Sequence, residues 1–156
     1  MVYVFDTSSL IVFKNYYPAH FPSLWEKISD LIDAKRLISV KEVLRELDGE
    51  VDSDFVRDWA KHNARIFKTP TREELAFVSQ IFAVPHFQTL ISKKSILKGS
   101  PVADPFVIAA TKVRGGAVVT EESYKPNAAK IPNVCEHFNI KCIKLQDLMK
   151  AERWEF

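Results

Sequence analysis

Short apolar runs alternating with amphipathic stretches set the plan of this chain. Val2, Tyr3, Val4 and Phe5 form a β-branched and aromatic run without a polar break, the pattern of a strand buried on both faces of a parallel sheet. Leu37 to Val40 (LISV) repeats that pattern, and Ala117 to Thr120 (AVVT) repeats it again. A last strand, Ile140 to Leu145, alternates with Lys141 and Lys144, as suits an edge.

Helical spacing fills the intervals. SSLIVFKNYY reads as a short helix stopped before Pro18. Leu24, Trp25, Ile28, Leu31 and Ile32 recur on one face of a second helix, with Pro22 and Ser23 at its start. KEVLRELDG puts Val43, Leu44 and Leu47 on one stripe, with Gly49 as its stop. Phe55, Val56, Trp59, Ala60 and Ile66 predict a helix over 54–67, and Thr71 with Glu74 forms a capping box that opens another over 71–84. Asp104, just before Pro105, is placed as the N-cap of a helix apolar over most of its surface, ended by Gly115 and Gly116. A short helix around 134–138 and a terminal one over 146–154 complete the pattern.

Strand, helix, strand in succession implies parallel pairing through right-handed crossovers. The fold class is therefore α/β, built on a central parallel sheet of about four strands. The 156 residues fit a single domain, with a helical insertion at about 50–100 between the second and third strands. Trp59, Phe77 and Phe82 in that insertion read as core rather than as a base-stacking surface.

Composition narrows the class only a little. Hydrophobic residues make up 47% and charged ones 27%, as in soluble globular proteins, and the net charge of +2 neither demands nor excludes nucleic acid. There is no signal-peptide pattern and no apolar run of transmembrane length, so a cytoplasmic location without membrane contact is expected. Cys135 and Cys142, even with His137, lack the fourth ligand of a structural zinc and read as reduced cysteines.

Acidic residues recur where open α/β sheets place their chemistry. Asp6 ends the first strand, where it serves either as a turn or cap residue or as a functional carboxylate; Thr7, Ser8 and Ser9 supply hydroxyls beside it. Glu121 and Glu122 follow the third strand after Thr120, and Asp104 sits at the start of an inner helix. Glu42 and Glu46 share one helix face, and either reaches a site near the strand ends or is solvated and paired with Lys41 and Arg45; Glu42 reads as solvated, while both readings of Glu46 stay open. Several like charges at one point are costly unless a cation neutralises them, and hard oxygen ligands select Mg²⁺ or Mn²⁺. Phosphodiester hydrolysis is the chemistry such a site serves most directly. Lys93, Lys94 and Lys98, with Ser92, Gly99 and Ser100, form a loop cluster suited to attracting a phosphate backbone or, equally, a solvated surface. G-x-S-x-G, G-x-G-x-x-G and the P-loop signature are absent.

Four motifs in order, YVFDTSSLI, SVKEVLREL, ADPFVIAA and VVTEE, resemble the PIN domain, and within it the VapC-like ribonucleases of toxin–antitoxin pairs. The ending IPNVCEHFNIKCIKLQDLM also resembles a less-studied PIN-like subgroup. The resemblance implies a three-layer α/β/α, PIN-like (Rossmann-like) domain whose central parallel sheet lies between helices, with Asp6, Glu46, Asp104 and Glu122 as the catalytic acids; Asp6, Asp104 and Glu122 would hold Mg²⁺ or Mn²⁺. Thr7, Ser8, Thr120 and Glu121 would support them, and Glu121 competes with Glu122 as the fourth acid. It further implies metal-dependent cleavage of RNA leaving a 3′ hydroxyl and a 5′ phosphate, an antitoxin partner, and a homodimer. Two other readings stand beside it. One is a non-catalytic PIN-like module that binds RNA or protein. The other is a haloacid-dehalogenase-type phosphatase, which needs an Asp where this chain has Ser8.

Overall fold

A computed structural model describes residues 1–50, 53–90 and 102–156, with the side chain of Glu50 left aside. Its elements, in chain order, begin with β1 (Tyr3–Phe5), α1 (Thr7–Ile11) and a 3₁₀ turn over Val12–Asn15. α2 (Pro22–Asp33), β2 (Leu37–Val40), α3 (Lys41–Glu50) and α4 (Asp54–His62) follow. After a 3₁₀ turn at Ala64–Ile66 come β3 (Phe67–Lys68), α5 (Arg72–Phe82) and a further 3₁₀ stretch, Pro85–Leu90. The last part holds α6 (Asp104–Arg114), β4 (Ala117–Val119), α7 (Ile131–His137), β5 (Lys141–Ile143) and α8 (Leu145–Ala151).

All strand pairs are parallel, in the order β3-β2-β1-β4-β5. Val4 pairs with Ile38 on one side and Val118 on the other, so β1 is the central strand. Its residues are buried on both faces, as its unbroken apolar pattern predicts, and each large side chain so buried contributes about 1.5–3 kcal/mol. Helix α3 packs against α1 and α4, and α6 packs against α5 and α7, giving the α/β/α layering. The apolar helix α6 contacts β1, β2 and β4.

Gly115 takes the left-handed conformation (φ +73°) that ends α6, a backbone state open to glycine at little cost. Gly116 is required for another reason: a Cβ there would lie 2.1 Å from the Val2 carbonyl oxygen. At the start of the strands Tyr3 Oη donates to Glu152 Oε1 at 2.7 Å, and Arg36 pairs with the same carboxylate. This ties the end of the chain to the edge of the sheet opposite the acids.

The structure corrects several expectations. The sheet has five strands, because Phe67–Lys68 pairs with β2 where a continuous helix was expected; Asn63 closes α4 early by leaving the helical conformation. The region between β2 and β4 is thus not purely helical but adds an edge strand. Gly49 does not stop α3, which continues to Glu50. Glu42 is buried rather than solvated: α3 begins directly at the end of β2, which draws its first turn inward. Asp104 is the first helical residue of α6, and Ala103 is the N-cap. Lys93, Lys94 and Lys98, with Ser92, Gly99 and Ser100, lie outside the described residues. Among the described residues no helix is long and apolar enough to cross a membrane.

Candidate functional site

Strands β1 and β4 end side by side, and this adjacency builds the centre of the site. Asp6 follows β1 and Thr120 follows β4; Asp6 N donates to Val119 O at 3.1 Å across the gap. The Asp6 carboxylate is 3% exposed and held from several directions. Oδ1 accepts from Ser9 N at 2.8 Å, Ser8 Oγ lies 2.9 Å from both oxygens, and Thr120 Oγ1 donates to Oδ2 at 2.5 Å. Asp6 therefore does cap α1, and the cap bond also fixes its orientation. Burial raises its pKa, against the opposing effect of the Thr120, Ser9 and Ser8 donors.

Glu46 reaches the same place from α3. Its Oε2 accepts from Thr7 Oγ1, and its Oε1 accepts from Ala103 N at 3.0 Å. One carboxylate thus joins the starts of α1 and α6, a role its helical periodicity does not reveal. The Ala103 bond is what sets Asp104 at the site. Asp104 itself makes no hydrogen bond or ion pair with the described residues, and its pKa is pushed up to about 8, first by burial and then by the charges of Glu122, Glu46 and Asp6.

Glu122 is fixed by the loop it begins. Its N donates to Thr120 Oγ1 at 3.1 Å and its Oε2 accepts from Ile131 N at 3.0 Å, closing the polar segment between β4 and α7. Burial raises its pKa; the Ile131 N–H and Lys130 oppose this, and Asp6 and Glu46 add to it. Glu121 diverges instead. Its Oε1 accepts from Leu145 N at 3.0 Å, at the start of α8, while its own N donates to Ser8 Oγ at 3.0 Å. Of the adjacent pair, Glu122 is the one whose charge Asp104 senses.

Asp6, Glu46, Asp104 and Glu122 thus arrive from four separate elements and feel one another's charge. Among the described residues, no three His, Cys, Asp or Glu side chains are close enough to form a ready-made metal cluster. The donor set is nonetheless all carboxylate and hydroxyl oxygen, and burial with mutual repulsion disfavours its negative charge. Both features suit a hard divalent cation that keeps part of its water shell. Cys135 and Cys142 are free thiols, Cys135 being buried.

The molecule is an α/β/α domain with acidic side chains gathered at the C-terminal edge of its parallel sheet. It belongs to the family described as Domain of unknown function (DUF4411), whose model matches residues 3–156. No curated protein matches the chain. Solved structures of similar shape include PAE2754 from Pyrobaculum aerophilum, at 13% identity over 97% of this chain and 96% of that one, with a TM-score of 0.49. VapBC2 from Rickettsia felis, bound to a DNA fragment from its promoter, matches at 13% identity over 92% and 98%, also with a TM-score of 0.49. At that identity and score neither likeness carries a function across.

Proposed function

We propose that the chain is a metal-dependent endoribonuclease whose centre is Asp6, Glu46, Asp104 and Glu122. The observation that carries this reading is the convergence of these carboxylates on Asp104, whose acidity is suppressed first by burial and then by the charges of the other three. A cluster of that kind is offset most directly by a divalent cation; Asp6, Asp104 and Glu122 would hold Mg²⁺ or Mn²⁺. When bound, the cation would lower the pKa of water and stabilise charge on the phosphate oxygens.

The protein's own groups divide the remaining work. Ser8, Ser9 and Thr120 lock the Asp6 carboxylate in one rotamer. Glu46 holds the first turn of α6 in place through Ala103 N, which positions the Asp104 carboxylate. Burial and the charges of Glu122, Glu46 and Asp6, which push its pKa up to about 8, keep the Asp104 carboxyl protonated at neutral pH in the cation-free protein. Hydrolysis forms a bond from water oxygen to phosphorus and breaks the bond to the 3′ oxygen, which takes up a proton; the products carry a 3′ hydroxyl and a 5′ phosphate. The lysines at 93, 94 and 98 would attract the RNA backbone. As the toxin of a toxin–antitoxin pair the chain would have an antitoxin covering the acidic site, and a homodimer is part of the same reading.

A non-catalytic PIN-like module that binds RNA or protein is the second reading. What favours it is that Glu46 and Glu122 each give a carboxylate oxygen to a backbone N–H rather than to an open ligand position. Incubating purified protein with end-labelled RNA in Mg²⁺, Mn²⁺ or EDTA tests the enzyme reading. Cation-dependent products degraded by a 5′-phosphate-requiring exonuclease support it; intact RNA in every cation, with RNA retained on the protein, supports the module.

A further inference from the structure

At the end of α7 the chain turns back on itself and brings two cysteines together. Asn139 takes the left-handed conformation (φ +53°); its N donates to Glu136 O at 3.2 Å, and Ile140 N donates to Cys135 O at 2.8 Å. These are the paired bonds of a Schellman motif, which ends a helix and reverses the chain. Strand β5 follows at once and packs against α7, with Cys142 paired to Val118 of β4. Cys142 is thereby brought to Cys135: both thiols are free, and each is the other's hydrogen-bond partner.

The two thiols differ in access and in acidity. Cys135 is 1% exposed and belongs to the core, whereas Cys142 is half-buried. Both line a cleft of about 470 Å³ whose wall also includes Thr120 and Glu122, so a small reagent has room in front of Cys142. The Cys135 S–H donates to Cys142 Sγ; that bond lowers the Cys142 pKa from its ordinary value, while the same bond and burial raise that of Cys135. A thiol that accepts a hydrogen bond and faces a cleft is the nucleophile of such a pair. Its buried donor is inert until the neighbouring sulfur has been made electrophilic.

We propose that Cys142 and Cys135 are a thiol modification site: Cys142 takes up a low-molecular-weight disulfide in the cleft, and Cys135 resolves the adduct to an internal disulfide between α7 and β5. In the first step the Cys142 thiolate bonds to one sulfur of the reagent, whose S–S bond breaks and releases one thiolate. In the second, Cys135 Sγ bonds to Cys142 Sγ and expels the other half of the reagent, which takes the Cys135 proton. The two cysteines are oxidised and the reagent is reduced to two thiols. The new bond joins the elements that hold the fourth acid, since Ile131 N at the start of α7 donates to Glu122 Oε2 and Ile143 O of β5 accepts from Thr120 N. The assignment does not rest on the nuclease reading.

The test is intact-mass spectrometry of the full folded chain after incubation with excess glutathione disulfide, on the original protein and on Cys135→Ala and Cys142→Ser checked for folding by circular dichroism. We expect the original protein to lose two hydrogens, retain no glutathione and return to its starting mass in dithiothreitol. Cys135→Ala should keep one glutathione, on Cys142, and Cys142→Ser should react at least about tenfold more slowly than Cys135→Ala. The original protein decides the closure by itself, whatever the variants do. A chain that stays reduced, keeps its glutathione or couples to a second chain overturns the proposal, as does a folded Cys142→Ser protein that reacts as fast as Cys135→Ala. Neither RNA nor a cation enters the measurement, so its outcome is separate from that of the cleavage assay.

Discussion

Replacing Asp104 by Asn should stabilise the cation-free protein, and the gain should grow with pH. The carboxyl of Asp104 is raised from 3.8 to about 8 by burial and by Glu122, Glu46 and Asp6. At about 1.4 kcal/mol per pK unit, the shift sets a ceiling near 6 kcal/mol on the cost of charging this group in the folded state; partial exposure reduces that to roughly 2–3 kcal/mol. The sign follows from proton binding. Between about pH 4 and pH 8 the folded chain holds a proton that the unfolded chain has lost, so stability falls as pH rises through that window and then levels off. Asn carries no charge to penalise. In EDTA the Asn variant should match the original protein near pH 4 and melt about 4–12 °C higher at pH 8 and above, read by circular dichroism. A variant less stable at pH 8, or an advantage that does not change with pH, would refute the shared field of charge.

Other outcomes follow from the same geometry. Mg²⁺ or Mn²⁺ at a hundredfold excess over its dissociation constant should stabilise the original protein by about 2.7 kcal/mol and leave Asp104→Asn nearly unchanged, as scanning calorimetry with and without EDTA would show. Glu46→Gln keeps one acceptor and removes the other from the tie between Thr7 and Ala103, so it should lower the urea midpoint by an amount equivalent to about 1–2 kcal/mol and reduce cleavage. Thr120→Val removes a donor that lowers the Asp6 pKa, so a carboxyl-detected NMR titration should find Asp6 titrating still higher. Gly116→Ala would set a methyl against the Val2 carbonyl and cost about 1–3 kcal/mol in urea unfolding, with Gly49→Ala, in open space, as the harmless control.

Elements whose signal is local were legible in the chain. The apolar runs at 3–5, 37–40 and 117–119 became adjacent parallel strands, and the Thr71–Glu74 capping box opens α5 as its spacing predicts. β3 was hidden because two residues carry no periodicity and Ile66 and Phe67 also continue the helical pattern before them. The site was legible as a set of acids but not as an arrangement. Proximity of Asp6 to Thr120, and of Glu46 to Ala103, arises from strand order and helix packing across 114 and 57 residues of chain. Glu121 and Glu122 look alike in sequence and are separated only by the N–H groups they meet, of Leu145 and Ile131.

Cleavage of a mixed pool of cellular RNA by the purified chain, in Mg²⁺, Mn²⁺ or EDTA, tests the central claim most directly when Asp6→Asn and Asp104→Asn are run beside it. Cutting by the original protein is expected only when a cation is present, and none by either variant although both remain folded by circular dichroism. Cutting that persists in EDTA or in the folded Asp104→Asn protein would contradict it, because the carboxylates gathered at the end of β1 and β4 would then not be the centre of the chemistry.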